Sequence, residues 1–536
     1  FKMLREEAGL SNDKIANVLH VQPDLLDLDV DRRLRPVVRF LLKEVGLDKE
    51  HVAATISTQP TILSKDVAGH LEPTLAFLRR EVSIPSSKLS KAIQQCPKML
   101  VLSPDEGPRA VSEFLAKEVG LTRESVGKAV ASFPQILTMC TESHLRKTYD
   151  WLCSIGVPQS KLEKVIRLHP KTMSYSLSNN LRPTVRYLWE DVGVPPEKLG
   201  KMIASFPQLL GLSVQQNLRP MVQYLLDEVG VEPSRLNKMF CNFPQLFGLS
   251  LENNIRPHVD YLVEEVGIPR DRIGKAVVTF PHLLAYNLED KLRPTVDFLH
   301  TLGIPKDRMG KLVATHPQIL GYSVEDKLVP TVRYLVDEVG VEGQKIGEVV
   351  ERCPKLLGCS IDKNLKPTVQ FLVDEVGIRP AQIGQVVTKY PSLLGLSIDN
   401  NLRPKLAYLI QEVNVEHDVI KKLLVTCPQL LAYSLENRIK PRHRLLLGKG
   451  LKLGLHSMLA PTDIAFYERY GDGLGRVPSV KASLNIVDSA SGHYYWDGQA
   501  SEHSETRVDV MQRRQVGAAR TGTVKRAGAG AGRKSG

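Results

Sequence analysis

The sequence predicts an all-α fold, a superhelical solenoid of right or left hand built from about twelve 37-residue repeats. Three observations predict it: a fixed period, a pair of amphipathic helices inside each period, and proline and glycine at constant places. The phrase FPQLLGLSVQQNLRP at 206–220 holds two prolines thirteen residues apart, Pro207 and Pro220. Its first proline recurs at 23, 60, 97, 134, 170, 207, 244, 281, 317, 354, 391 and 428, at intervals of 37 residues nine times and 36 twice. Repetition at that period means stacked units, one elongated domain rather than the three or four globular domains that 536 residues would otherwise suggest.

The unit 207–243 shows the construction. Leu218, Met221, Val222, Leu225 and Val229 fall on one face of a first helix around 217–229, and Gly230 supplies the left-handed stop after it. A second helix at about 233–242 opens at Pro233, carries Leu236, Met239, Phe240 and Phe243 on one face, and ends against Pro244. The PQLL segment is too short for an α-helix and reads as one 3₁₀ turn crossing between repeats. Seven residues before the second proline stands a small capping residue, as at Asp29, Ser213, Asn287 and Ser434. Either it caps the first helix, leaving the proline inside that helix, or it caps a turn and the proline opens the helix; the sequence leaves both open. The two 36-residue units lose their residue in the first helix, at 151–156 and 298–303, and Lys147 replaces the second proline of the fourth unit.

Residues 1–459 therefore read as the repeat array, which starts in mid-repeat at Phe1. Residues 460–474 read as a C-terminal capping helix, and 475–536 as a disordered tail, basic at its end. Seven cysteines without a CxxC pair argue against a disulfide framework or a zinc site. No apolar run reaches the ~18 residues of a membrane span, so no membrane partner is expected. There is no HExxH, GxSxG or Walker sequence, and no cofactor, metal or catalytic residue is expected. The formal charge is +12, but the tail carries +5 of it and the array only +7 over 474 residues.

Aligned repeats turn residues into columns. A cation precedes the second proline, or its equivalent, at Arg35, Arg146, Arg182, Arg219, Arg256, Arg293, Lys366, Arg403 and Lys440, with Glu72, Gly107 and Val329 as exceptions. These cations lie off the apolar stripe. They could clamp phosphates, or form inter-repeat ion pairs with the acids found two residues before the glycine stop, such as Glu228 and Glu265. A lysine column six residues before the first proline, Lys201 and Lys238 among it, reads first as an ordinary solvated face. The aromatic column four residues after the second proline (Phe40 through Tyr408) reads as core, and the glycines inside the second helices, such as Gly200 and Gly274, as sites of close helix approach.

The repeated phrase "FPQLLGLS…NLRPTV.YL.DEVG.P….IGK.V" and the closing CPQLLAYSLENRIKPRHR at 427–444 resemble the mitochondrial transcription termination factor (mTERF) family, plant and algal members in particular, over roughly 1–471. The resemblance implies two α-helices and a short 3₁₀ helix per repeat. It also implies a non-enzymatic protein of the chloroplast or mitochondrion, the chloroplast slightly preferred, that binds nucleic acid. Double-stranded DNA, with a role in transcription termination or regulation and contact with the organellar transcription machinery, is the first expectation. Structured RNA, for intron splicing or ribosomal RNA maturation, is the second, and a protein-interaction scaffold the third. The expected nucleic-acid contacts are the nine cations above together with Arg442 and Arg444.

Overall fold

The computed structural model describes residues 1–471. It is an all-α repeat solenoid, with no strand among the described residues. Two compact units divide it, Phe1–Leu431 and a second that begins at Ala432, so the division falls earlier than the expected end of the array. The expected tail, and positions 472–474 of the expected cap, lie outside the described residues.

Within the first unit the repeat is built as its residues demand. Pro207–Gly211 is the 3₁₀ turn, Val214–Leu218 a π-helical turn, Arg219–Asp227 the first α-helix and Pro233–Asn242 the second. Both readings of the capping residue turn out to be part of one arrangement. The Ser213 hydroxyl accepts from the Gln216 N–H at 3.2 Å, and the Leu218 N–H reaches five residues back to the Ser213 carbonyl at 3.1 Å. The wide turn draws aside the carbonyl that the ring of Pro220 would strike in an α-helix, and Pro220 takes the second position of the α-helix that follows. The same cap hydrogen bond is made from Asp29, Asp66, Ser176, Ser250, Asn287, Ser323, Ser360, Ser397 and Ser434.

The stop after the first helix is left-handed throughout, at φ 72° for Gly230, and Ser83 (φ 61°) and Asn414 (φ 56°) adopt it without being glycine. That turn is also where the next repeat rests. A Cβ on Gly200 would stand 1.8 Å from the Gly156 carbonyl oxygen, and one on Gly310 1.7 Å from that of Gly267. The second helix of one repeat thus lies on the loop carbonyl of the repeat before it. Where the glycine is absent, the carbonyl receives a hydrogen bond instead, from Ser90 to Val45 at 2.6 Å or from Asn237 to Gly193 at 3.2 Å. Second helices of successive repeats pack on one another, as Arg270–Thr279 does on Lys306–Thr315. This repeated contact sets the stacking of the array.

The core runs through the repeats as the columns predict, with Leu218, Met221, Val222, Leu225, Leu236, Met239 and Phe240 all buried. The residue after the second proline, or the position equivalent to it by the period, points inward in these repeats. It is Val37, Thr74, Val111, Thr148, Thr184, Met221, His258, Thr295, Thr331, Thr368 and Lys405 in the first unit, all buried. Thr295, Thr331 and Thr368 satisfy their hydroxyls on the carbonyl four residues back, at 2.7–2.8 Å. Lys405 carries a charge into the same place. Its Nζ donates to Asn401 Oδ1 at 2.5 Å and to the Leu431 carbonyl at 2.6 Å, and burial pulls its pKa down to about 8.

Candidate nucleic-acid interface

The cation column is engaged by carboxylates over most of its length. Arg256 sits between Glu228, at the end of the preceding first helix (2.8 Å), and Glu252, four residues earlier in its own repeat (3.2 Å). Arg293 repeats the pattern with Glu265 at 2.5 Å and Glu289 at 3.0 Å. Arg35 pairs with Glu7 and Asp31, Arg146 with Glu118 and Glu142, and Arg403 with Glu375 and Asp399. Arg146, Arg256, Arg293 and Arg403 also lie near an aromatic ring of the repeat before. The guanidinium carbon stands 4.4 Å from the ring centre of Tyr224 for Arg256 and 4.8 Å from that of Tyr261 for Arg293. Hydrogen bonds from Arg293 and from Arg403 hold Glu265 and Glu375 below the usual carboxylate range. Of the two readings open to this column, inter-repeat pairing is the one the structure adopts.

A complete rung holds one cation and two acids, a net charge of −1. It therefore repels a polyanion rather than attracting one. Among the described residues Lys366 has one acid, Asp362 at 3.5 Å, and Lys440 pairs with Glu436 inside the second unit.

Two column members differ. Arg182 and Arg219 are exposed, and among the described residues neither has a carboxylate within ion-pair distance. The sequence explains it. The position four residues before them is Ser178 and Gln215, where other rungs carry Asp or Glu. The end of the preceding helix offers Ser154 to Arg182, because the deletion in that 36-residue unit replaces the acid. Arg219 keeps only its ring contact, 5.8 Å from the centre of Tyr187.

Three expectations need correction. Gly107 does not break the column. The period places Arg109 there, and Arg109 pairs with Glu81 and Asp105 over the ring of Phe77; Pro108 stands two residues early and misleads the alignment. Arg442 is not available to a nucleic acid. It occupies the inward column, is fully buried, and donates to the carbonyls of Met458 and Leu459 and to Asp463 (2.5 Å), its guanidinium 4.5 Å from the centre of Phe466. Burial lowers its pKa, so it serves as the polar centre of the second unit, around which Lys440–Gly448, Leu455–Leu459 and Asp463–Tyr470 are arranged. Its place directly after Pro441, where most other repeats carry Thr or Val, was the available signal. Arg35, Arg146, Arg256, Arg293 and Arg403 are held by the rungs as described, while Arg444 is exposed and has no carboxylate within ion-pair distance among the described residues.

The second helices carry what the first-helix column lacks. Lys91, Lys164, Lys201, Lys238, Lys275, Lys311 and Lys422 are all exposed, and among the described residues none has a carboxylate within 4.0 Å; in this column Lys128 alone pairs, with Glu124 at 2.6 Å. Three residues earlier, on the same helix face, stands a second row that sequence reading passed over: Lys88, Lys161, Lys198, Arg235, Arg272 and Arg308. Arg235 and Arg308 pair with Glu232 and Glu351; the other four are exposed without such a partner among the described residues. Because second helices stack on one another, these cations form two neighbouring rows through the middle repeats. The three-residue spacing was legible in the aligned sequence.

The mTERF family model matches residues 2–154 and 150–467. The chain belongs to the mTERF family. No curated protein shows significant similarity to it. Membership carries with it a helical-repeat protein of nucleic-acid binding and gene regulation in organelles, a family not known for enzymes. Among the described residues no helix is long and apolar enough to cross a membrane.

Proposed function

We propose that this mTERF protein binds double-stranded DNA in an organelle without catalysis, and acts on transcription by obstructing or directing a polymerase. Phosphates would lie along the second-helix rows of the first unit, with Arg182 and Arg219 as the predicted contacts there that, among the described residues, remain free of carboxylates; Arg444 is a separate predicted contact in the second unit. The observation that carries this reading is the contrast between the two cationic surfaces. The complete first-helix rungs are closed and net negative, whereas most second-helix cations are exposed and, among the described residues, without a carboxylate partner. Arg and Lys without protein partners release counterions on meeting phosphate, which makes affinity fall steeply with salt at about 0.9 log units per contact and per log unit of salt.

The test is a salt titration of binding to a 30-base-pair DNA duplex, with the same sequence as duplex RNA and as single strands in competition. The expected result is a steep log–log slope on duplex DNA, reduced by about three in K201Q/K238Q/K275Q with the fold unchanged. A preference for either RNA would move the function to RNA maturation. Failure of every nucleic acid to bind at low salt would leave a protein-interaction scaffold.

A further inference from the structure

We infer that the fifth and sixth repeats hold the main phosphate grip of the array, formed by Arg182 and Arg219 in the gap of the carboxylate ladder. This rests on the nucleic-acid reading above and locates it. Arg182 has serine at both places where a complete rung has acids, Ser154 and Ser178, so its site bears a full positive charge. Arg219 has Gln215 at one place and Asp191 at the other, and Asp191 is not within ion-pair distance. Each complete rung, by contrast, is net negative. The gap coincides with a concentration of charge: residues 155–226 contain nine Lys and Arg against four Asp and Glu, +5 of the +7 that the whole array carries. Two adjacent repeats thus present consecutive guanidiniums, donors whose planar fork fits two phosphate oxygens. Arg219 in addition lies over the ring of Tyr187, its guanidinium carbon 5.8 Å from the ring centre. A phosphodiester backbone, with a charge at each nucleotide, is the ligand that such a spaced pair recognises.

The experiment closes the gap without removing either arginine. S178E/Q215E installs the acids found at the same place in the other rungs, as at Glu252 and Glu289, so the fold is known to accept them. Binding to the 30-base-pair duplex should weaken on the order of ten-fold, as loss of charge-assisted hydrogen bonds implies. The melting temperature should hold or rise. R182Q/R219Q should lower affinity similarly and reduce the salt slope by about two, whereas R256Q/R293Q should leave the slope unchanged. Affinity that survives both S178E/Q215E and R182Q/R219Q overturns the grip while leaving nucleic-acid binding in place. Absence of binding by the unaltered protein overturns both.

Discussion

The surroundings of Arg256 and Arg293, in the seventh and eighth repeats, differ from those of Arg182 and Arg219, in the fifth and sixth, at the places where a rung holds its acids, and the difference separates two jobs that one arginine column can do. Around Arg256 and Arg293 the acids Glu228, Glu252, Glu265 and Glu289 complete the rungs. Around Arg182 and Arg219 the same backbone carries Ser154, Ser178 and Gln215, with Asp191 out of reach, and the guanidiniums face solvent. The cap, the π-turn and the proline are alike in both regions, so the helix that presents the arginine is not what changes. Magnitude decides what the rungs are for. An exposed ion pair contributes about 0–1 kcal/mol, far less than burial of a single Leu or Phe, at ~1.5–3 kcal/mol. The ladder adds little to stability per rung and mainly determines where positive charge is left uncovered.

The comparison can be broken or sharpened at several points. The largest expected effect lies in the stacking contact common to both regions. Gly200→Ala and Gly310→Ala should each cost about 1–3 kcal/mol or more, measured by denaturant unfolding, because the new methyl group meets backbone carbonyl oxygen rather than a movable side chain. Gly395→Ala, with open space around it, should cost nothing comparable.

Next comes Lys405, a buried charge in the inward column. Its folded pKa of about 8 lies below that of an unfolded lysine, so the unfolded state holds more protons between those values and stability should rise with pH from about 8 to about 10.4. The gain is at most roughly 3 kcal/mol. Thermal melts of Lys405→Thr, which restores the residue common in that column, should lack this rise.

A smaller effect tests the ladder itself. E228Q/E252Q turns the rung of Arg256 into the open form of the fifth repeat. It should lower stability by less than about 1 kcal/mol and increase the salt slope of duplex binding by about one. Smallest is the titration of Glu265. Its folded pKa is depressed, so the contribution of its rung is present above the unfolded value of about 4.3 and disappears as pH falls through the folded one. An NMR titration should find Glu265 returned toward the ordinary value in R293Q.

Much of this was legible beforehand, for reasons that particular residues make plain. Pro207 and Gly230 act through their own backbones, by a missing N–H and a positive φ, and so mark the 3₁₀ turn and the helix end without reference to any neighbour. Gly200 announced a close approach but not its target, the carbonyl of Gly156. Arg442 sits in a basic run whose composition masks the inward column it occupies, and Arg109 follows a proline that stands two residues off the period. The lysine rows were visible, yet nothing in the sequence distinguished an open cation from a paired one.

The chain alone determined the repeat, the order of turn and helices within it, and which face of each helix is buried, since these follow from backbone chemistry and apolar spacing over a few residues. The missing acids at Ser154, Ser178 and Gln215 stand in the sequence, but that Arg256 reaches Glu228 while Arg219 does not reach Asp191 at the same spacing was decided only by the tertiary structure. Each such acid stands 28 residues away in another repeat, and an ion pair forms when stacking brings the two side chains within about 3 Å, a distance that no spacing along the chain specifies.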